Sequence, residues 1–188
     1  MTTYLKQFKF IFFALALSFN CYGATIAISP SDDPYSEIQE ALILAQPGDV
    51  IHITEGIYKL EDSLSLDVKN VILEGEGIDK TILSFKNQKS GAQGLFVTSD
   101  GVILRDFAVE DAKGDAIKVK GVDGISFIRV RTEWTEGPSS DNGAYGLYPV
   151  ESKNVLIDSC VAIGASDAGI YVGQSENIIV KNSRAEFN

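Results

Sequence analysis

Apolar and polar positions alternate along this chain in short bursts, and the bursts recur. A turn residue followed by an apolar strand appears five times: Asn70-Val71-Ile72-Leu73, Gly101-Val102-Ile103-Leu104, Gly124-Ile125-Ser126-Phe127, Asn154-Val155-Leu156-Ile157 and Asn177-Ile178-Ile179-Val180. The turn residues lie 31, 23, 30 and 23 positions apart. A second ladder runs between them, through Leu95-Phe96-Val97, Ile117-Lys118-Val119, Leu147-Tyr148-Pro149 and Ile170-Tyr171-Val172, with spacings of 22, 30 and 23. Two ladders on one base period define a solenoid, and strands this short with no helical period between them select a β-solenoid. The predicted fold is all-β, a parallel β-helix.

Strand alternation then assigns faces. Ile117, Leu147 and Ile170 point inward, as do Val119, Pro149 and Val172. Phe96, Lys118, Tyr148 and Tyr171 form an outward column. Pro149 brings no amide donor, which predicts a bend or bulge there. Cys160 shares its register with Phe107, Val130 and Ser183 and is expected to be an inert, buried thiol. His52, the single histidine, is expected outward on an early strand as an ordinary surface residue.

Before the ladders, Ile38, Ala41, Leu42 and Ala45 recur at helical spacing behind Asp32-Asp33-Pro34, and Gln46-Pro47-Gly48-Asp49 closes the segment. This predicts a short N-terminal helix capping the first rung, whose core and strand edges would otherwise be exposed. Residues 1–24 differ in kind: Lys6 and Lys9 without acids, the apolar run Ile11–Phe19, then small residues around Gly23 and Ala24. Those are the parts of a secretory signal peptide, so the expected domains are a signal at 1–24 and a β-helix at 25–188. The expected location is the periplasm or cell exterior, with no stable membrane span after cleavage. The chain ends at Arg184-Ala185-Glu186-Phe187-Asn188 without a polar capping element, so the β-helix is expected to be C-terminally incomplete.

Charge narrows the partners. The formal net charge is −10, and loss of the two signal-peptide lysines takes it to about −12. Nucleic acid is thereby excluded, and a polyanionic polysaccharide is disfavoured unless a local basic patch or Ca²⁺ intervenes. No cofactor or metal motif is present, and no motif supports a Ca²⁺ site.

The longest interruption of the second ladder is the segment Thr132–Gly143, which adds about seven residues to the base period and carries Trp134, Glu133, Glu136 and Asp141. It leads into Tyr145 and Tyr148. Aromatic rings beside carboxylates suit a sugar, through stacking on C–H faces and acceptors for hydroxyls. The predicted binding groove is lined by Trp134, Tyr145, Tyr148 and Tyr171, with Lys118 and Glu151 at its floor or rim. Glycoside hydrolysis would need two convergent carboxylates among Glu133, Glu136, Asp141, Glu151 and Asp167. A lyase or epimerase would need a base and a cation, for which Lys118 or Lys120 with Tyr148 could serve.

The turn-apolar signature, the period and the entry Ile38-Gln39-Glu40-Ala41…Pro47-Gly48-Asp49 resemble the pectin-lyase-like, right-handed parallel β-helix superfamily, over roughly residues 31–188. The rung from Ser152 to Val172 is similar to repeats of periplasmic copper-site-assembly β-helix proteins and of alginate C5-epimerases. The resemblance implies a right-handed helix and a range of roles from lyase to adhesin. The epimerases' Asp-Pro-His-Asp run falls on Tyr148-Pro149-Val150-Glu151, where Val150 replaces the histidine and cannot take a proton. The function expected is an exported β-helix that binds or modifies a carbohydrate polymer on an outward strand face. The alternative is a non-catalytic scaffold that binds a protein partner.

Overall fold

A computed structural model describes residues 23–188. The signal-peptide reading lies outside the described residues. Among those residues, no helix is long and apolar enough to cross a membrane.

Every strand pairing is parallel, and each strand pairs with strands one rung away in the chain, so the backbone coils with three faces per turn. The first face starts with Thr25–Ile28 and Val50–Ile53 and continues through the turn-apolar repeats to Glu176–Lys181. The second includes Gly56–Lys59, Thr81–Ser84 and Arg184–Glu186. The third stacks Leu64–Leu66, Gln93–Val97, Asp115–Lys120, Tyr145–Val150 and Ala168–Ile170.

The corners explain the sequence signature. Asn70, Gly101, Gly124, Asn154 and Asn177 all take positive φ, between 53° and 82°. Glycine and asparagine are the residues that adopt this left-handed conformation at least cost, so they recur at this corner. The asparagines also stack: Asn177 Nδ2 donates to Asn154 Oδ1 at 3.2 Å, and Asn154 Nδ2 donates to Asp123 Oδ1 at 2.6 Å. A second left-handed corner holds Asp106, Arg129, Ser159 and Asn182. On the rungs of Asp106 and Arg129 the strand continues through the corner, as Val102–Glu110 and Asp123–Glu133 of nine and eleven residues, whereas at Ser159 and Asn182 it is interrupted. The two continuous strands are longer than the short strands predicted.

Between the corners the inward residues stack in register. Ile51, Leu73, Leu104, Phe127 and Ile157 form one fully buried column of the first face. Ile117, Val119 and Leu147 are fully buried on the third, with Ile170 and Val172 packed against the same core at the last rung. Cys160 lies in the buried column of Phe107 and Val130, as expected, and burial pushes its thiol up to about 11. Pro149 sits in unbroken register, opposite Val119 between the Tyr148–Lys118 and Val150–Lys120 pairs, so the predicted bulge is absent. A proline φ fits an extended strand, and the ring is buried in the core.

The N-terminal helix spans Pro34–Leu44. Asp33 caps it by accepting from the Ser36 amide at 3.2 Å, and proline occupies the first turn, where no donor is missed. Ile38, Ala41 and Leu42 are buried, closing the core at the first rungs.

Candidate functional site

The third face carries the aromatic residues. Its strands contain two consecutive inward positions, a small residue and then a large one. Gly94, Ala116, Gly146 and Gly169 occupy the small position, beside Leu95, Ile117, Leu147 and Ile170. The small residues let the strand pack closely on the second face: a methyl on Gly146 would lie 2.5 Å from Thr132 Oγ1 and 2.4 Å from the Gly169 carbonyl oxygen. The inward pair leaves two outward positions per strand, three residues apart. Asp115 and Lys118 occupy them on one rung, Tyr145 and Tyr148 on the next.

Stacking then assembles the cluster. Tyr148 lies over Lys118 in register, and Tyr171 follows one rung on. The Tyr145 and Tyr171 rings stack with centroids 4.7 Å apart and planes at 22°. Tyr148 is 4.6 Å from Tyr145 and 5.4 Å from Tyr171. The Lys118 ammonium lies 4.9 Å from the Tyr148 ring centroid, within cation–π range, and 3.6 Å from the Asp115 carboxylate. Tyr171 is the most open of the three rings, at 41% exposure.

Asp115 was not singled out from the sequence. Its side chain is only 13% exposed, and burial pushes its carboxyl above the ordinary range, with Lys118 and the Tyr145 amide partly offsetting that rise. Tyr145 is raised chiefly by its hydrogen bond to Asp167, with burial adding to it. Tyr148 is raised by burial and then by the Asp115 charge. Both phenols therefore keep their protons at neutral pH and act as hydrogen-bond donors.

Trp134 is the main correction. It is 5% exposed, and its indole Nε1 donates to the Ala112 carbonyl at 2.8 Å. A methyl on Gly143 would lie 2.7 Å from the indole Cζ2, so the ring is packed into the corner between the second and third faces. An apolar ring with one N–H gains more from this dry corner and its waiting carbonyl than from solvent. The inserted segment folds down over it: Thr135 bonds Asp111, and Asn142 Nδ2 donates to the Gly137 and Gly164 carbonyls at 2.9 and 2.6 Å. Trp134 thus belongs to the core. The predicted groove reduces to an outward patch of three tyrosines, two of them half-buried and Tyr171 exposed.

Glu151 stands at the edge of that patch, at a left-handed corner (φ 52°), 3.8 Å from Lys120. Val150, at the histidine position of the epimerase run, is buried. Glu133 is drawn instead to Arg131, which also binds Glu110 at 2.8 Å, away from the tyrosines. His52 is outward as expected, but it is not isolated: its Nδ1 lies 3.0 Å from Glu74, which also pairs with Arg105.

A concavity of about 610 Å³ is lined by Asp33, Tyr35 and Lys59 near the start of the helix. A smaller one, about 280 Å³, lies over Trp134 between Lys86, Asp111 and Asp141. Neither includes Tyr145, Tyr148 or Tyr171. Among the described residues, no group of three or more His, Cys, Asp or Glu side chains is placed to hold a metal ion.

The family model for the right-handed beta helix region matches residues 70–188, well over half of the chain. The chain belongs to the right-handed β-helix family. Solved structures share this architecture. The alginate lyase from Paenibacillus sp. str. FPU-7 aligns with a TM-score of 0.62 at 18% identity, over 86% of this chain and 66% of that one. The A-module of the Azotobacter vinelandii mannuronan C-5 epimerase gives 0.57 at 19% identity, over 89% and 50%. A pectin methylesterase variant in complex with a hexasaccharide gives 0.51 at 14%, over 87% and 57%. The β-helix thus spans one half to two thirds of their length, and at these identities the likeness shows the fold alone. No curated protein matches the chain.

Proposed function

We propose that this β-helix is exported and binds a carbohydrate polymer along the outer surface of its third face. The observation that carries this reading is the set of three mutually packed tyrosines with a half-buried Asp115–Lys118 pair at their side. Rings held by strand stacking present fixed apolar faces to sugar C–H groups, and neutral phenols, carboxylates and an ammonium supply partners for hydroxyls. An open face, unlike a closed pocket, accepts a chain that continues beyond the site. The solved relatives named alginate lyase, mannuronan epimerase and pectin methylesterase, all β-helices, support a polysaccharide as the partner.

Any proton transfer to or from a bound sugar would come from Asp115, Lys118 and Tyr148, the titratable groups in contact within the patch. Asp115 is the residue to test first, because burial favours its protonated form. The reading is checked by titrating the full chain with oligosaccharides and following heat of binding. Replacing Tyr148 or Tyr171 by Ala is expected to weaken binding by about 1 kcal/mol each, the scale of one aromatic contact. Absence of binding to every polysaccharide offered, with the fold intact, would favour the non-catalytic scaffold.

A further inference from the structure

The charge arrangement around the tyrosines points to a substrate class. Resting on the carbohydrate reading above, we infer that the third face selects an uncharged glycan and rejects polyuronates. A uronate carboxylate needs a free cation where it lands, and the patch offers none. Both of its lysines face a carboxylate: Lys118 is held by Asp115 at 3.6 Å, and the more exposed Lys120 lies 3.8 Å from Glu151. Lys118 is doubly engaged, since its ammonium also sits 4.9 Å from the Tyr148 ring centroid with the side chain only 24% exposed.

The carboxylates outnumber the lysines. Asp115, Glu151 and Asp167 all adjoin the tyrosines. Seating a uronate would strip Lys118 from Asp115 and leave that half-buried carboxylate unpaired. Leaving a buried charge uncompensated is among the costlier events in recognition. The formal net charge of −10 adds long-range repulsion of the same sign. A neutral sugar meets no such penalty, and its hydroxyls donate to the same carboxylates.

Affinity electrophoresis of the full chain in native gels tests this. The gels would contain a neutral polymer (laminarin, galactomannan or hydroxyethylcellulose) or a polyuronate (alginate or polygalacturonate), at about 20 and about 200 mM salt to vary screening. Retardation by at least one neutral polymer at both salts, with none by either polyuronate, is the expected result. Asp115→Asn frees Lys118 and removes one negative charge, so it should tighten oligogalacturonate binding about fivefold, read at low salt as retardation that the wild type lacks, the effect of one partly exposed ion pair. Glu151→Gln, which frees the exposed Lys120 and does not disturb the strand, should shift affinity in the same direction. Wild-type binding to a polyuronate in preference to all neutral polymers would overturn the substrate class while leaving the carbohydrate site standing. So would neutral binding accompanied by no gain of uronate affinity in either variant. Retardation by no polymer at all would remove the carbohydrate reading and this inference with it.

Discussion

The first and third faces of this β-helix are built from the same parallel strands over one core, yet they present different chemistry. On the first face the outward column runs His52, Glu74, Arg105, so that unlike groups fall on adjacent rungs and pair across the strand spacing. On the third face the corresponding column runs Phe96, Lys118, Tyr148, Tyr171, and aromatic rings fall on adjacent rungs. A parallel ladder places equivalent side chains about 4.8 Å apart. Ion pairs use that distance to neutralise one another, and rings use it to build a contact surface. The core constrains the inward residues alike on all faces, so the outward columns are where the faces are free to differ.

The comparison assumes a shared core, and the largest expected effect lies there. Trp134→Ala should cost about 3–5 kcal/mol of stability by denaturant unfolding, because it empties a buried corner. Its effect on glycan affinity should be negligible in the fraction that stays folded. Loss of affinity at unchanged stability would return Trp134 to the binding surface.

Cys160 sharpens the same point through pH. In the unfolded chain its thiol ionises near 9.0, in the folded protein near 11, so between those values the folded state holds a proton that the unfolded state has lost. Stability should therefore fall as pH rises from 9 to about 11, by up to about 3 kcal/mol, and the Cys160→Ala variant should lack that component. The native thiol should also resist a water-soluble maleimide until denaturant is added. Rapid labelling of the folded protein would show that the register is wrong by one residue.

The first face is broken separately. Burial opposes the charged form of Glu74, but the Arg105 and His52 hydrogen bonds outweigh it and hold the carboxyl below its ordinary 4.5. The stability this gives is present above pH 4.5 and is lost as pH falls through the lowered value. Glu74→Ala should cost about 1 kcal/mol at neutral pH, less in acid, and should leave glycan binding unchanged. A drop in affinity would mean that the two faces do not act independently.

Most of the scaffold was legible because the physics behind it repeats. Asn70, Gly101, Gly124, Asn154 and Asn177 share one backbone conformation that only a few residue types tolerate well, so the corner left a periodic mark in the sequence. The second corner left none: Asp106, Arg129, Ser159 and Asn182 have the same conformation but no common chemistry, and the second face beyond it was not read from the sequence. The column of Lys118, Tyr148 and Tyr171 followed from alternation alone. Asp115 was hidden because alternation breaks where Ala116 and Ile117 both turn inward, which places it on the outer surface with Lys118. Trp134 misled for a different reason. A tryptophan in an insertion announces a large apolar ring, but its direction is decided by a cavity and a free carbonyl, here that of Ala112, contributed from 22 residues away.

The central claim is that the tyrosine face, and not the ion-paired face, meets the polysaccharide. Calorimetric titration of one neutral oligosaccharide that the wild type binds, into the Tyr148→Ala/Tyr171→Ala protein and into the Glu74→Ala/Arg105→Ala protein, tests it most directly. The account predicts a loss of roughly tenfold or more in affinity for the first, from two aromatic contacts of about 1 kcal/mol each, and no loss for the second. Equal affinities in the two variants, or a loss confined to the second, would contradict it.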